Sequence, residues 1–219
     1  MSIEAFVPLK TLSETKHRLA EVLNESARLA LVVAMAEDVI ARLRQHPDVD
    51  RVHVICGEGW EAYAFLQPPI RLWRESDLTV SGLNAVLSAV AADSGADGQL
   101  FIHADLPFLS HEDISAICSR GRDGTAILCP DRHRVGTNAL LRWRAQSLAL
   151  SFGERSYGCH SAAAQRGELD WSEISTVGLG TDIDTADDIQ LLQGGDPGQR
   201  EGAAILGDRT RFWSPQACG

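Results

Sequence analysis

Three aspartates stand where the surrounding sequence gives them no local structural work. Asp105 ends the hydrophobic run QLFIHAD, and Asp182 and Asp184 lie much further along in TDIDTADDI. Neighbouring acids are accounted for: Ser110 with Asp113, and Thr185 with Asp188, have the spacing of capping boxes at helix starts. In extended chain, residues two apart project to one side, so the carboxylates of Asp182 and Asp184 converge while Ile183 turns inward. One such aspartate would be ordinary turn chemistry. Three repel one another unless a cation is shared, and clustered carboxylate oxygens suit a hard divalent ion. A complementary positive set, Lys10, Lys16 and Arg18, follows the first apolar run in FVPLKTLSETKHRLAEVL. Phosphates bind at that place in many α/β proteins, although solvated turn cations have the same spacing. There is no P-loop and no GxGxxG.

The elements that must position these groups alternate along the chain. IEAFVPL, RVHVICG (51–57), IRLW (70–73), QLFIHAD (99–105), TAILCPD (125–131), NALLRW (138–143) and EISTVGLG (173–180) read as strands. Helices are predicted over Ser26–Gln45, over 81–93 with Ser81 as its cap, and over 111–120, 156–167 and 185–193. Such alternation implies a mostly parallel sheet covered by helices on both faces, a three-layer α/β/α arrangement. In such sheets ligands bind beyond the carboxyl ends of the strands, where both acidic stretches are expected. After Gln193 the sequence GGDPGQREG is linker-like, so the fold is expected within 1–193, with 194–219 as a tail.

Composition removes several classes of function. A net charge of −10 argues against a nucleic-acid partner, which needs a basic surface. The five cysteines are scattered and form no CxxC pair, so neither a disulfide framework nor a cysteine zinc site is indicated. The longest apolar run, Leu29 to Ala36, is far short of the roughly 20 residues that cross a bilayer. The first residues, MSIEAFVPLK, lack the basic start and long apolar run of a signal peptide, so none is expected. A soluble cytoplasmic protein with no membrane partner is expected; oligomeric state is not encoded in any visible pattern.

The ordered set PLKTLSETKHRLAEVLNESARLALVVAMAEDVI, SGLNAVL, HADLPFLS, CPDRHRVGTNALL, SFGERSYGCHSAAA and DIDTADDI resembles the 2-phospho-L-lactate or phosphoenolpyruvate guanylyltransferases of coenzyme F420 biosynthesis. The resemblance runs from about Val7 to Leu192. It implies a compact Rossmann-like nucleotidyltransferase fold related to molybdenum-cofactor enzymes, with GTP and Mg²⁺. By motif match, Asp105, Asp182 and Asp184 would hold the metal and act in catalysis with Lys16. Lys10, Lys16, Arg18, Gly82 and Asn84 would serve the nucleotide. Thr137, Gly153 and Ser156 would hold the phosphorylated acid. The residue types agree: hydroxyls donate to anions, glycine lets a backbone amide approach closely, and Ser156 opens a helix whose N-terminal amides favour negative charge. Ser156 as a simple helix cap is the plainer alternative.

The implied reaction is attack of an acceptor phosphate oxygen on the α-phosphorus of GTP, with pyrophosphate leaving. It needs positioning and charge neutralisation rather than a covalent intermediate, which suits a chain with no His or Cys constellation. Competing readings are another nucleotidyltransferase of the same fold, with a sugar-phosphate or molybdopterin acceptor, and a nonenzymatic nucleotide-binding module.

Overall fold

The computed structural model describes residues 2–9, 16–59, 63, 66, 69–121, 124–146 and 148–193. Lys10 and the expected tail 194–219 lie outside them. The strands are β1 (Ile3–Leu9), β2 (Arg51–Cys56), β3 (Arg71–Arg74), β4 (Gly98–Ile102), β5 (Ala126–Pro130), β6 (Thr137–Trp143) and β7 (Trp171–Glu173). They form one sheet in the order β3-β2-β1-β4-β6-β5-β7. All neighbours pair in parallel except β6, which runs against both β4 and β5.

Helices cover both faces because the central strands bury side chains on both. On one face α1 (Glu25–Gln45) presents Ala36, Val39, Ile40 and Leu43, a helical apolar stripe, beside Ile114 and Ile117 of α3 (His111–Gly121). The opposite face takes Val86, Leu87, Val90 and Ala91 of α2 (Leu83–Ser94) and Ala164 of α4 (Ser156–Arg166). A third apolar cluster joins Leu19, Leu23, Leu31 and Met35 to Ile183 and Ile189. It packs the short 3-10 helix His17–Glu21 against the chain leading into α6 (Ala186–Gln193).

Two local expectations change. Ser81 does not cap α2: Gly82 holds the N-cap position with φ +85°, a backbone conformation that glycine adopts without strain, and no side chain caps the helix. The segment 173–180 is not one strand. The strand is Trp171–Glu173, and Val177–Gly180 forms a helical turn, α5, whose Leu179 N–H donates to the Thr176 hydroxyl at 3.1 Å. That turn docks on the start of α3, where Thr176 donates to Asp113 at 2.6 Å. The first capping box is realised reciprocally, Ser110 N–H to Asp113 and Asp113 N–H to Ser110. In the second, Asp188 accepts the Thr185 N–H, while its own N–H goes to the Thr185 carbonyl.

Close packing at this dock explains Gly178. A Cβ there would lie 2.0 Å from Asp113 Oδ2 and 2.7 Å from the Phe108 carbonyl oxygen. Gly178→Ala should therefore overpack the junction and cost about 1–3 kcal/mol. Urea unfolding should show the lowered midpoint; an unchanged midpoint would mean that the turn is free to move off α3.

Candidate functional site

Asp105 follows β4 by three residues, and Asp182 and Asp184 occupy the irregular link between α5 and α6. The second pair thus leaves a helical turn rather than the strand expected from the sequence. The two loops are tied by their backbones: the Ile183 N–H donates to the Asp105 carbonyl at 3.3 Å. Ile183 is wholly buried in the third apolar cluster, and the flanking aspartates turn the other way. One carboxylate oxygen from each of Asp105, Asp182 and Asp184 lies within 4.8 Å of the other two. Such a donor set fits a hard divalent cation.

Lys16 reaches into this cluster. Its Nζ donates to Asp105 Oδ2 at 2.6 Å and also to Asp184 Oδ1, and its side chain is only 7% exposed. Burial alone would lower the ammonium pKa, but the carboxylates of Asp105 and Asp184 more than offset that and hold it well above the ordinary lysine value. The residue stands in the left-handed region, φ 57°, an unusual backbone state for a lysine. Leu19, fully buried three residues later, anchors the segment in that shape. Arg18 behaves differently: it is exposed on the 3-10 helix and pairs with no described acid.

Asp182 pairs with no lysine among the described residues. Burial, reinforced by the charges of Asp105 and Asp184, holds its carboxyl above the usual range, and the Asn138 amide partly opposes this. Asn138 Nδ2 donates to Asp182 Oδ1 at 3.3 Å and to the Leu179 carbonyl at 3.0 Å. Asp188 fixes the other side of the loop, accepting the Asp184 N–H at 2.8 Å and pairing with Arg132. Asn138 and Arg132 are residues that sequence reasoning passed over. The buried amide inside the apolar run TNALL was the available signal.

Because β6 runs antiparallel, its first residues, Thr137 and Asn138, lie beside the carboxyl ends of β4 and β5. Ser156 is the first residue of α4, but it caps nothing. Arg155 holds the cap position, and the Ser156 hydroxyl accepts the Thr137 N–H at 2.8 Å. Gly153 has φ +127° and open space where a side chain would stand. Thr137 and Ser156 are therefore in contact, with Gly153 on the loop entering α4. Asn84 spends its amide on the backbone of Phe152, accepting its N–H at 2.7 Å and donating to its carbonyl at 2.9 Å. It positions the Gly153 loop against α2. Gly82, two residues earlier, is exposed, and a Cβ there would meet nothing within 4 Å.

Comparison with known proteins gives this edge a relationship. Residues 3–201 match the family described as "Guanylyl transferase CofC like". The chain belongs to this family. Named relatives agree: it is 36% identical over 212 residues to a Conexibacter woesei phosphoenolpyruvate guanylyltransferase, covering 93% of each chain. A Sphaerobacter thermophilus protein of the same name is 32% identical over 208 residues, covering 90% of this chain and 95% of its own. Among solved structures, a Desulfovibrio desulfuricans G20 protein described as a nucleotide-diphospho-sugar transferase superposes with TM-score 0.74 at 17% identity, over 97% of both chains. A Mycobacterium tuberculosis H37Rv protein solved with manganese gives 0.56 at 17% identity, over 90% of this chain and all of its own. The fold is that of the nucleotide-diphospho-sugar transferases, and the chain is a nucleotidyltransferase of the guanylyltransferase family.

The balance of charge yields a test that needs no substrate. Lys16→Ala leaves the three carboxylates facing one another without their ammonium, which should cost the metal-free protein about 2 kcal/mol after allowance for the half-exposed Asp184. Adding Mn²⁺ or Mg²⁺ should restore most of the lost thermal stability. A variant as stable as wild type in EDTA would show that the repulsion is already relieved by solvent.

Proposed function

We propose that the protein transfers GMP from GTP to a small phosphorylated carboxylic acid, releasing pyrophosphate, in coenzyme F420 biosynthesis. Phosphoenolpyruvate, 2-phospho-L-lactate and 3-phosphoglycerate are the candidate acceptors. One observation carries the reading within this family: a carboxylate cluster and a rim of hydroxyls with a glycine loop share one edge of the sheet. The first suits a metal-bound triphosphate and the second a small anion, and relatives sharing most of the chain bear the name phosphoenolpyruvate guanylyltransferase.

Asp105, Asp182 and Asp184 would hold the divalent ion, proposed as Mg²⁺. The Lys16 ammonium, a cation already resting on two of these carboxylates, supports the fit. When bound, such an ion supplies charge neutralisation at the transferring phosphoryl group. Lys16 adds a fixed positive charge beside the same phosphates, Arg18 would extend it from the 3-10 helix, and Lys10, next after β1 in the sequence, is proposed to join them. Gly82 opens α2 with room for a nucleotide to approach its N-terminus, and Asn84 holds the loop opposite. Thr137, Ser156 and the Gly153 loop orient the acceptor so that its phosphate oxygen, already anionic, attacks in line without a general base. The reading places the enzyme in the cytoplasm and uses residues 1–193, leaving 194–219 outside the domain.

Mass spectrometry of products from GTP and the acceptor panel decides the reaction; a guanylylated acid with matching pyrophosphate is expected. Asp105→Asn, Asp182→Asn and Asp184→Asn should each lower turnover about a thousandfold, some 4 kcal/mol of barrier, with the fold kept. Full activity in excess EDTA would remove the metal. Ser156→Ala deprives the Thr137 N–H of its acceptor and loosens the rim. It should raise the acceptor KM about tenfold and leave GTP nearly unchanged. Equal effects on both substrates would make Ser156 a purely structural tie.

A further inference from the structure

His160 lies on the inner side of α4, fully buried, and takes no part in the carboxylate cluster. Both ring nitrogens are engaged. Nε2 faces the backbone N–H of Ser151 at 2.9 Å, and Nδ1 faces Thr137 Oγ1 at 2.9 Å. A backbone amide can only donate, so Nε2 is the bare nitrogen and the ring's single proton sits on Nδ1. A cationic ring would set N–H against N–H at Ser151. The surroundings agree: burial, with the positive charges of Arg142 and His103 nearby, pushes the imidazole pKa down to about 4. The Phe152 ring packs edge-on against it at 5.0 Å.

The fixed tautomer has a consequence for Thr137. Its oxygen accepts from Nδ1–H, so its own proton cannot turn toward the ring. Ser156 is committed in the same way, since its oxygen accepts the Thr137 N–H at 2.8 Å. Neither hydroxyl proton has an acceptor among the described residues, although Thr137 is 1% exposed and Ser156 2%. Two buried hydroxyls on residues in contact therefore each accept one hydrogen bond from the protein and have their protons left over.

We propose that His160 is a positioning residue: as a neutral Nδ1–H donor it turns the Thr137 hydroxyl proton away from the ring, so that the site favours a ligand presenting a hydrogen-bond-accepting oxygen, such as a carboxylate or phosphate oxygen, at that point. This deepens the guanylyltransferase reading and rests on it for the identity of the ligand. It also predicts weaker binding of analogues in which an amide NH₂ replaces the anionic oxygen, because the Thr137 proton would then meet a donor instead of an acceptor.

The first arm of the test is independent of activity. Nitrogen NMR of the wild-type protein should show His160 protonated at Nδ1 alone and not titrating between about pH 5.5 and 8, a window that spans the ordinary histidine midpoint of about 6.5. A ring protonated at Nε2, or one that titrates near that midpoint, overturns the inference. The second arm is calorimetric binding of phosphoenolpyruvate and of GTP, measured separately. His160→Leu should weaken phosphoenolpyruvate about tenfold with GTP within about twofold, and His160→Asn, whose amide can still donate to Thr137, should recover most of the loss. In a Thr137→Val background, His160→Leu should add nothing further, because the effect passes through the Thr137 hydroxyl. Equal weakening of both ligands, or the same loss from His160→Leu with Val at 137, overturns it. Should the leucine variant fail to fold, the asparagine variant and the wild-type NMR still decide. Phosphoenolpyruvate binding without guanylyl transfer would remove the proposed reaction and leave the His160 lock standing; a titrating His160 would do the reverse.

Discussion

Three carboxylates gathered within 4.8 Å are a standing electrostatic cost, and much of the architecture around them answers it. Lys16 supplies the charge, but a lysine on an open loop would be a weak partner, since its long side chain loses entropy on being held. Here it is held by its surroundings. Leu19 and Leu23 bury themselves with Ile183 and Ile189, so the apolar cluster that fixes the acidic loop also fixes the segment carrying the cation. Charge and packing are coupled in one small region. The left-handed backbone at Lys16 is the strain this arrangement tolerates.

The second constraint is the single reversed strand. Were β6 parallel to β4, Thr137 and Asn138 would lie at the far end of the sheet. Running antiparallel, it delivers two polar side chains to the ligand-binding edge directly beside β4. Asn138 then steadies Asp182, while Thr137 joins Ser156 and His160. One strand thus contributes to both halves of the candidate site. The loop before α4 is fixed to match, with Asn84 clamping Phe152, His160 receiving Ser151 and Arg142 reaching the Leu148 carbonyl at 2.5 Å. Few of these groups are charged. In a protein of net charge −10, the proposed acceptor rim of hydroxyls and backbone amides would receive an anion without burying further lysines.

Much of this was legible in the sequence. The alternating apolar runs fixed the α/β class, because strands buried on both faces must be covered by helices on both. Capping logic separated Asp113 and Asp188, which have local work, from Asp105, Asp182 and Asp184, which do not. The period of two placed Ile183 inward and its neighbours outward. Each of these follows from interactions within a few residues, where covalent geometry alone decides which side chains can meet.

What the sequence did not yield depends on contacts between distant segments. VGLG has a strand-like composition, yet its turn is helical because Thr176 and Gly178 dock on Asp113, more than sixty residues away. Ser156 resembled a cap, but its oxygen is drawn to the Thr137 amide of another element. The direction of β6 cannot be read from its own apolar pattern, which is the same in either orientation. The proton position on His160 is set only when α4, β6 and the Ser151 loop close around one ring. Local spacing determined which residues had no structural duty; packing decided which of them share a site, because hydrogen-bond polarity and charge compensation depend on the partner that folding brings.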